Sequence, residues 1–175
     1  MTGLDDLAAK IRELSQKKIK VGFFDTAYYI EGRNPVAYIA TIQEFGASNK
    51  HTTIPPRPFM RPVLKNNTST YAEITKHLLL DESKTPDDIA QLLGARVMGD
   101  IQMSIASVYA PPLSKITLAI RYLREQNKAG FRGSKGLVER LRAQLESDNP
   151  PKLSSNTKPL NDSGLLLNSV NYRVD

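Results

Sequence analysis

The chain has 175 residues, and its hydrophobic and charged fractions of 40% and 24% are ordinary globular values that exclude wholesale disorder. It contains no cysteine, which excludes disulfides and thiolate metal sites and suits a reducing compartment. The net charge of +6 lies in residues 110–144, which carry eight bases and two acids, while the remainder has 16 of each. No apolar run is long enough to cross a bilayer, and acids precede any base at the N-terminus, so we expect neither a membrane span nor a signal peptide.

The N-terminal part is predicted to form a helix followed by a strand. Thr2 is a candidate N-cap, and four apolar residues recur at helical spacing after it: Leu4, Leu7, Ile11 and Leu14. We expect this helix to pack on the protein's own sheet, with an interface helix as the alternative. Alternation over residues 19–23 is typical of a half-buried strand, and Tyr28 and Tyr29 indicate a second strand or its turn.

Residues 36–62 are predicted to form a short apolar helix ending at Gly46, a polar loop and an extended arm. Four prolines surround Phe59 and Met60 in this arm, and proline fixes φ and favours extended geometry in the preceding residue. The arm is therefore stiff before it docks. It could cross the protein's own core or pack against a neighbouring subunit. We favour the neighbouring subunit, with the interface formed by Pro55, Pro56, Arg57, Pro58, Phe59 and Met60.

Two helices are predicted to follow the arm. The first has its cap within residues 66–69 and carries Tyr71, Ile74, Leu78 and Leu79. The second begins at Ser83–Asp88, which combine a capping hydroxyl, a proline in the first turn and two acids. Its apolar stripe extends to Val108, roughly 22 residues or about 33 Å, and suits packing across a sheet. Gly94 and Gly99 are each expected to weaken it by roughly 1 kcal/mol against alanine if exposed.

The C-terminal part is predicted to contain two amphipathic helices, an exposed linker and a last strand. The first helix follows a cap at Ser114, and the second carries Leu137, Leu141 and Leu145 after a hinge at residues 130–136. Residues 149–158 are typical of an exposed linker, and Asp162–Gly164 lead into a single helical turn. Val170, Tyr172 and Val174 alternate with polar residues and indicate a strand, whose simplest partner is the strand at residues 19–23.

Residue patterns that would support catalysis are missing from the sequence. His51 and His77 belong to no metal-binding pattern, no nucleophile elbow occurs, and the glycines of residues 130–136 lack the order of a phosphate loop. The acid pairs all lie at predicted helix starts, where they complement the helix dipole. We therefore expect a non-enzymatic protein with no catalytic residue, metal or cofactor.

The basic segment has two interpretations. Clustered bases attract phosphates without sequence preference, but only Tyr122 and Phe131 are interleaved as stacking candidates. The segment is either a solvated helical hairpin or a patch that faces nucleic acid or an acidic protein surface. The candidate patch residues are Lys115, Arg121, Arg124, Lys128, Arg132, Lys135, Arg140 and Arg142.

Six segments occur in an informative order: VGFFD, VAYIATIQEFG, IPPRPFMRP, DIQMSI, PPLSKITLAIR and KPLNDSGLLLNSVNYRV. This ordered set resembles the tail-completion and minor tail component family of tailed bacteriophages, grouped with virion morphogenesis and neck proteins. It covers most of the chain up to residue 125 and again from Lys158. The matching motif positions are Glu44, Phe45, Gly46, Pro55, Pro56, Arg57, Pro58, Phe59, Lys158, Pro159, Leu160, Asp162 and Gly164.

The resemblance implies an α+β fold in which a small antiparallel sheet is packed by a long helix. It implies one domain over residues 1–175. The chain departs from the family pattern by an inserted charged helical hairpin and linker at residues 126–156. The implied role is a non-enzymatic ring of six subunits at the head–tail junction of the virion, assembled in the host cytoplasm. The implied partners are other copies of the chain, head-completion or connector proteins, tail-tube or tail-terminator proteins and the DNA in the channel, with no membrane.

Two other functions are weighed against this one. A small basic DNA-binding or packaging accessory protein would use residues 115–142 and lose affinity steeply with salt. A hydrolase is disfavoured because the sequence offers no set of acid, base and nucleophile.

Overall fold

The computed structural model describes residues 3–24, 28, 34–49, 53–126 and 136–175. The predicted cap at Thr2, Tyr29 of the predicted second strand, His51 and most of the predicted hinge lie outside these residues. The elements in chain order are α1 (Gly3–Gln16), β1 (Ile19–Phe23), α2 (Val36–Phe45), β2 (Ala47–Ser48), β3 (Thr53–Ile54), α3 (Arg61–Leu80), α4 (Pro86–Ser107), α5 (Lys115–Gln126), α6 (Leu137–Leu145), α7 (Leu165–Asn168) and β4 (Val170–Val174).

The main sheet joins the two ends of the chain. β1 pairs antiparallel with β4, with Ile19 opposite Val174 and Phe23 opposite Val170, which confirms the predicted pairing. β2 and β3 form a separate short hairpin. Tyr28 makes an isolated bridge to Pro35 instead of belonging to a strand of the described chain.

The long helix α4 packs across β1 and β4, so the predicted α+β fold is confirmed. The helix begins as predicted, because the Thr85 hydroxyl accepts from the Asp88 amide at 3.2 Å and the Asp88 carboxylate accepts from the Thr85 amide at 2.9 Å. Pro86 occupies the first turn, where its missing amide costs little. These contacts are local, which is why the pattern of residues 83–88 was sufficient to predict the start.

Gly94 is buried where α4 crosses β4, so the expectation for an exposed helical glycine does not apply to it. A Cβ at this position would lie 2.4 Å from Cδ2 of Tyr172, whereas a Cβ at Gly99 would meet nothing within 4 Å. We expect Gly94→Ala to lower the free energy of unfolding by about 1–2 kcal/mol because of overpacking. Gly99→Ala should raise it by up to about 1 kcal/mol through helix propensity. Urea unfolding of both variants measures the difference, and equal effects would contradict the close packing of Gly94 on Tyr172.

Helix α1 does not pack on the sheet as predicted; it lies against α3 and α4. Lys10 donates to the Asp81 carbonyl at 2.9 Å, and Lys17 forms a 2.7 Å ion pair with Asp87. No residue of α1 is buried, and Leu4 and Ile11 remain 78% and 47% exposed. Half of the apolar stripe therefore faces outward.

Helix α3 begins at Arg61, earlier than the predicted cap within residues 66–69. Pro62 lies in its first turn, where proline is tolerated, so the last proline of the arm starts a helix instead of extending the arm. Residues 66–69 lie inside the helix. The amides of Phe59, Met60 and Arg61, just before and at its first residue, donate to a distant side chain, that of Glu44. No local sequence pattern indicates this acceptor.

The core lies between α2, the proline arm, the start of α3, α4 and the closing segment, which comprises residues 158–174. Its buried members come from all of these parts: Val36, Ala40, Phe59, Val63, Ile101, Ile105, Leu160, Leu166 and Val170. The Phe59 ring meets the Phe23 ring of β1 edge to face, with centroids 6.0 Å apart. Segments that are far apart in sequence therefore share one hydrophobic cluster.

Candidate functional site

Glu44 is a buried carboxylate in the last turn of α2. It follows Val36 and Ala40 at intervals of four, so all three lie on the buried face of the helix. Its side chain accepts the backbone amides of Phe59, Met60 and Arg61 at 2.7, 3.0 and 3.1 Å. The Arg61 guanidinium adds a 2.9 Å ion pair to the same carboxylate. Glu44 thus caps α3 and fixes the end of the proline arm to α2.

These contacts hold Glu44 in its charged form. Burial alone raises the pKa of the Glu44 carboxyl, but the hydrogen bonds from Met60, Phe59 and Arg61 outweigh it and the net shift is downward. A carboxylate facing the N-terminus of α3 also complements the helix dipole. Arg61, whose side chain is 57% exposed, lies 4.5 Å from the centroid of the Phe45 ring and covers the solvent side of this contact.

Arg57 makes the second buried contact, between the arm and the turn after α4. Its Nε donates to the Pro111 carbonyl at 2.9 Å, and its other nitrogens donate to the Pro112 carbonyl and the Gln43 amide oxygen. The Arg57 amide also donates to the Gln43 carbonyl at 2.7 Å. Burial, together with the positive charge of Arg121, lowers the pKa of Arg57. Neutral oxygens therefore solvate a cation inside the protein.

The proline arm docks on its own chain. Phe59 is completely buried and Arg57 is 5% exposed, so the prediction that these two side chains lie on a neighbouring subunit is wrong. Met60 packs against the edge of the same core. The prolines Pro56 and Pro58 are exposed and Pro55 is half-buried, and their part in a subunit interface stays a prediction. The arm lies on its own chain because Glu44 and Arg57 fix both of its ends there.

Arg121 makes the third buried contact, between α5 and the closing segment. It donates to the carbonyls of Asn156, Lys158 and Pro159 at 2.9, 2.8 and 3.3 Å, and its Nε lies 3.2 Å from the Asp162 carboxylate. Burial lowers the pKa of Arg121, and the charge of Asp162 opposes that shift. The side chain orders a stretch that has no regular secondary structure.

The prediction of an exposed linker at residues 149–158 is wrong for Ser154, which is buried, and for Asn156 and Lys158, which are half-buried; residues 155 and 157 are exposed. Ser154 is buried, its amide donates to the Leu118 carbonyl at 3.0 Å, and its hydroxyl donates to Glu125 at 2.5 Å. Together with the contacts of Arg121, these bonds attach the segment to α5. Residues 149 and 150 are exposed as expected.

The predicted basic patch does not form one surface in the described chain. Arg121 is only 4% exposed and faces backbone carbonyls, so the prediction that it faces DNA or a protein partner is wrong. Arg124 is half-buried and forms a 2.5 Å ion pair with Asp162. Lys115, Arg140 and Arg142 are exposed on α5 and α6. Lys128, Arg132 and Lys135 lie outside the described residues.

We call Glu44, Arg57, Arg121 and Asp162, with the segments they join, the motif junction. A groove of about 510 Å³ opens at it, lined by Ile39 and Gln43 of α2, by α5 and by residues 159–166. The described ranges contain no group of three or more His, Asp or Glu side chains placed to hold a metal, and none of their helices is long and apolar enough to cross a membrane. His77 is exposed on α3. The junction is built to hold segments together.

Glu44 is identified from the sequence only as a motif position, and the predicted surface position of Arg121 differs from its buried position in the structure. Glu44 could have been found, since its spacing from Val36 and Ala40 places a carboxylate on the apolar face of α2. Arg121 gives no comparable signal, because its acceptors lie 35 to 38 residues away. Comparisons with protein-family models, curated proteins and solved structures found no match to this chain.

Proposed function

We propose that this protein is a non-enzymatic structural component of a tailed-bacteriophage virion. It forms a ring of six subunits at the head–tail junction, completes the tail and mediates head–tail joining. Its partners are the head-completion or connector protein on one side, the tail-tube or tail-terminator protein on the other and DNA in the channel. Assembly takes place in the host cytoplasm, and the mature location is the virion.

The observation that carries this proposal is the motif junction. The segments that resemble the phage family are far apart in sequence, yet buried side chains join them: Glu44 to the arm, Arg57 to Pro111 and Pro112, and Arg121 to residues 156–159. Side chains from the arm and the closing segment, Phe59 and Leu160, also share the core. The same set of buried contacts thus holds the ordered segments together in the fold. This supports treating the segments as one family pattern.

The outward side of α1 supports a role in assembly. An isolated helix of 14 residues is marginal in water, and α1 has no buried residue in the single chain. Leu4 and Ile11 are exposed on it, and Leu80 at the end of α3 is 61% exposed. Exposed apolar area of this kind is common at protein–protein contacts. The alternative function as a DNA-binding accessory protein loses support, because Arg121 and Arg124 are engaged within the chain.

Deleting the gene from its phage tests the proposal. We expect particles with filled heads and separate tails, because the ring that joins them is missing, and normal particles when the wild-type gene is supplied in trans. Electron micrographs give the fraction of particles in which head and tail are joined. Native mass spectrometry of the purified protein should show an assembly of about six times the 19.5 kDa chain mass, alone or with its neighbours. Normally joined particles from the deletion would contradict the proposal.

A further inference from the structure

We propose that the groove between α5 and α6 binds a protein segment that carries apolar side chains flanked by carboxylates. The groove has a volume of about 360 Å³ and is separate from the motif junction. Only the identity of the partner, a protein of an adjoining ring, rests on the function proposed above. The chemistry of the occupant follows from the groove itself.

The groove has an apolar floor. Five of its lining residues present hydrocarbon or aromatic surface, and they come from both helices and the turn after α6: Tyr122, Leu123, Leu137, Leu141 and Pro151. Leu141 is buried, while Leu137 and Leu123 are half-buried and reach the groove. A sugar–phosphate backbone gains little from such a floor, whereas leucine, isoleucine or phenylalanine side chains of a docked segment would be removed from water.

The rim of the groove is cationic. Lys152 and Arg140 line it and are exposed, Gln144 is neutral, and none of the described lining residues is acidic. Arg142, also exposed, lies on the same helix. The excess charge of the whole sequence falls within residues 110–144, and the remainder of the sequence is neutral. Because a second copy of the chain carries the same net charge of +6, charge complementarity favours an acidic partner that is a different protein.

The apolar floor and the cationic rim together distinguish a protein partner from a nucleic acid. A nucleic-acid surface requires bases spread along a face, and Arg121 and Arg124, which would extend that face, are bound to Asp162. A peptide groove requires an apolar floor with charges at its edge, which is the arrangement found here. An amphipathic helix with acidic flanks fits both features, since its apolar side chains enter the groove and its carboxylates reach the rim.

Selection from a display library of random peptides on the full-length protein tests the inference. We expect the recovered peptides to be enriched in Leu, Ile or Phe together with Asp or Glu, and to bind more weakly as salt is raised. Recovered peptides that are basic, or a library that yields no enrichment over an uncoated surface, would overturn the inference. So would competition by duplex DNA for the same binding at low salt.

Gln144 allows a charge series that leaves the fold intact, because its side chain is exposed at the rim. Gln144→Lys should tighten binding of a recovered peptide by about threefold, and Gln144→Glu should weaken it by a similar factor. Lys152→Glu should weaken it by about tenfold. The same substitutions at Gln91, exposed on α4 outside the groove, are the matched controls. Equal changes in peptide affinity from the substitutions at residues 91 and 144 would mean that the peptide binds outside the groove.

The outcome of the peptide-binding experiments does not depend on the result of the gene deletion. Peptide binding at the groove with normally joined deletion particles would leave the groove standing and overturn the neck role. Failure of the peptide selection together with separated heads and tails would overturn the groove proposal and leave the neck role standing.

Discussion

Glu44→Gln is expected to lower the free energy of unfolding by about 3 kcal/mol. The carboxylate is 4% exposed and accepts three backbone amides and the Arg61 side chain. An amide of the same shape carries no charge, and its NH₂ group would face donors where an acceptor is needed. For a chain of this size the melting temperature should fall by about 6–12 °C, which calorimetry or circular dichroism measures.

The control for this variant is Glu73→Gln, on the exposed side of α3. Removing that charge should change stability by no more than about 0.5 kcal/mol. If Glu44→Gln were as stable as Glu73→Gln, the contact between α2 and the start of α3 would contribute nothing. The proline arm would then be held by the Arg57 hydrogen bonds and the packing of Phe59.

The same variant has an expected pH signature. The pKa of Glu44 is lower in the folded protein than its ordinary value of 4.5, so the folded state binds fewer protons at this group than the unfolded state. The stabilisation is fully present above pH 4.5 and is lost as the pH falls below it toward the folded pKa. The stability difference between the wild type and Glu44→Gln should therefore shrink below that pH. A constant difference down to pH 3 would contradict the lowered pKa.

Arg121→Lys is expected to cost about 3 kcal/mol and to loosen residues 154–160. The guanidinium reaches three carbonyls and the Asp162 carboxylate at once. A lysine ammonium is a single point donor on a flexible stem, so it cannot replace this planar set of bonds. Urea unfolding measures the stability, and limited proteolysis should show faster cleavage in this segment, whose backbone is otherwise irregular.

The matched control is Arg142→Lys, an exposed position on α6 with the same change of chemistry. Its stability should stay within about 0.5 kcal/mol of the wild type. A result in which Arg121→Lys left stability and cleavage unchanged but weakened duplex DNA binding would contradict the buried position of Arg121. It would also restore the DNA-binding interpretation of the basic segment.

These two expectations share a structural cause. Glu44, Arg57 and Arg121 are charged side chains that solvate backbone groups of segments with little regular structure. Removing one partner leaves buried backbone amides or carbonyls without a hydrogen bond, which costs more than the bond itself contributes. The arm and the closing segment should therefore lose order locally before the sheet and α4 unfold.

Several elements could be predicted from the sequence because their determinants are local or periodic. The capping box of Thr85 and Asp88 fixed the start of α4, and the period-two alternation of residues 19–23 and 170–174 identified both strands. Pairing them was also predictable, since a terminal strand with one buried face needs a partner and few strands were available. The α+β fold itself was implied by the family resemblance, and these elements agree with it.

The tertiary structure alone decided where the arm, α1 and the buried arginines lie. Proline stiffness predicts that the arm of residues 55–60 is extended, but its docking surface is set by Glu44 and the Phe23 ring, which are distant in sequence. The charge of Arg121 is readable from the sequence, whereas its burial depends on carbonyls 35 to 38 residues away. Local patterns report which groups need a partner, and only the folded chain determines which partner each group receives.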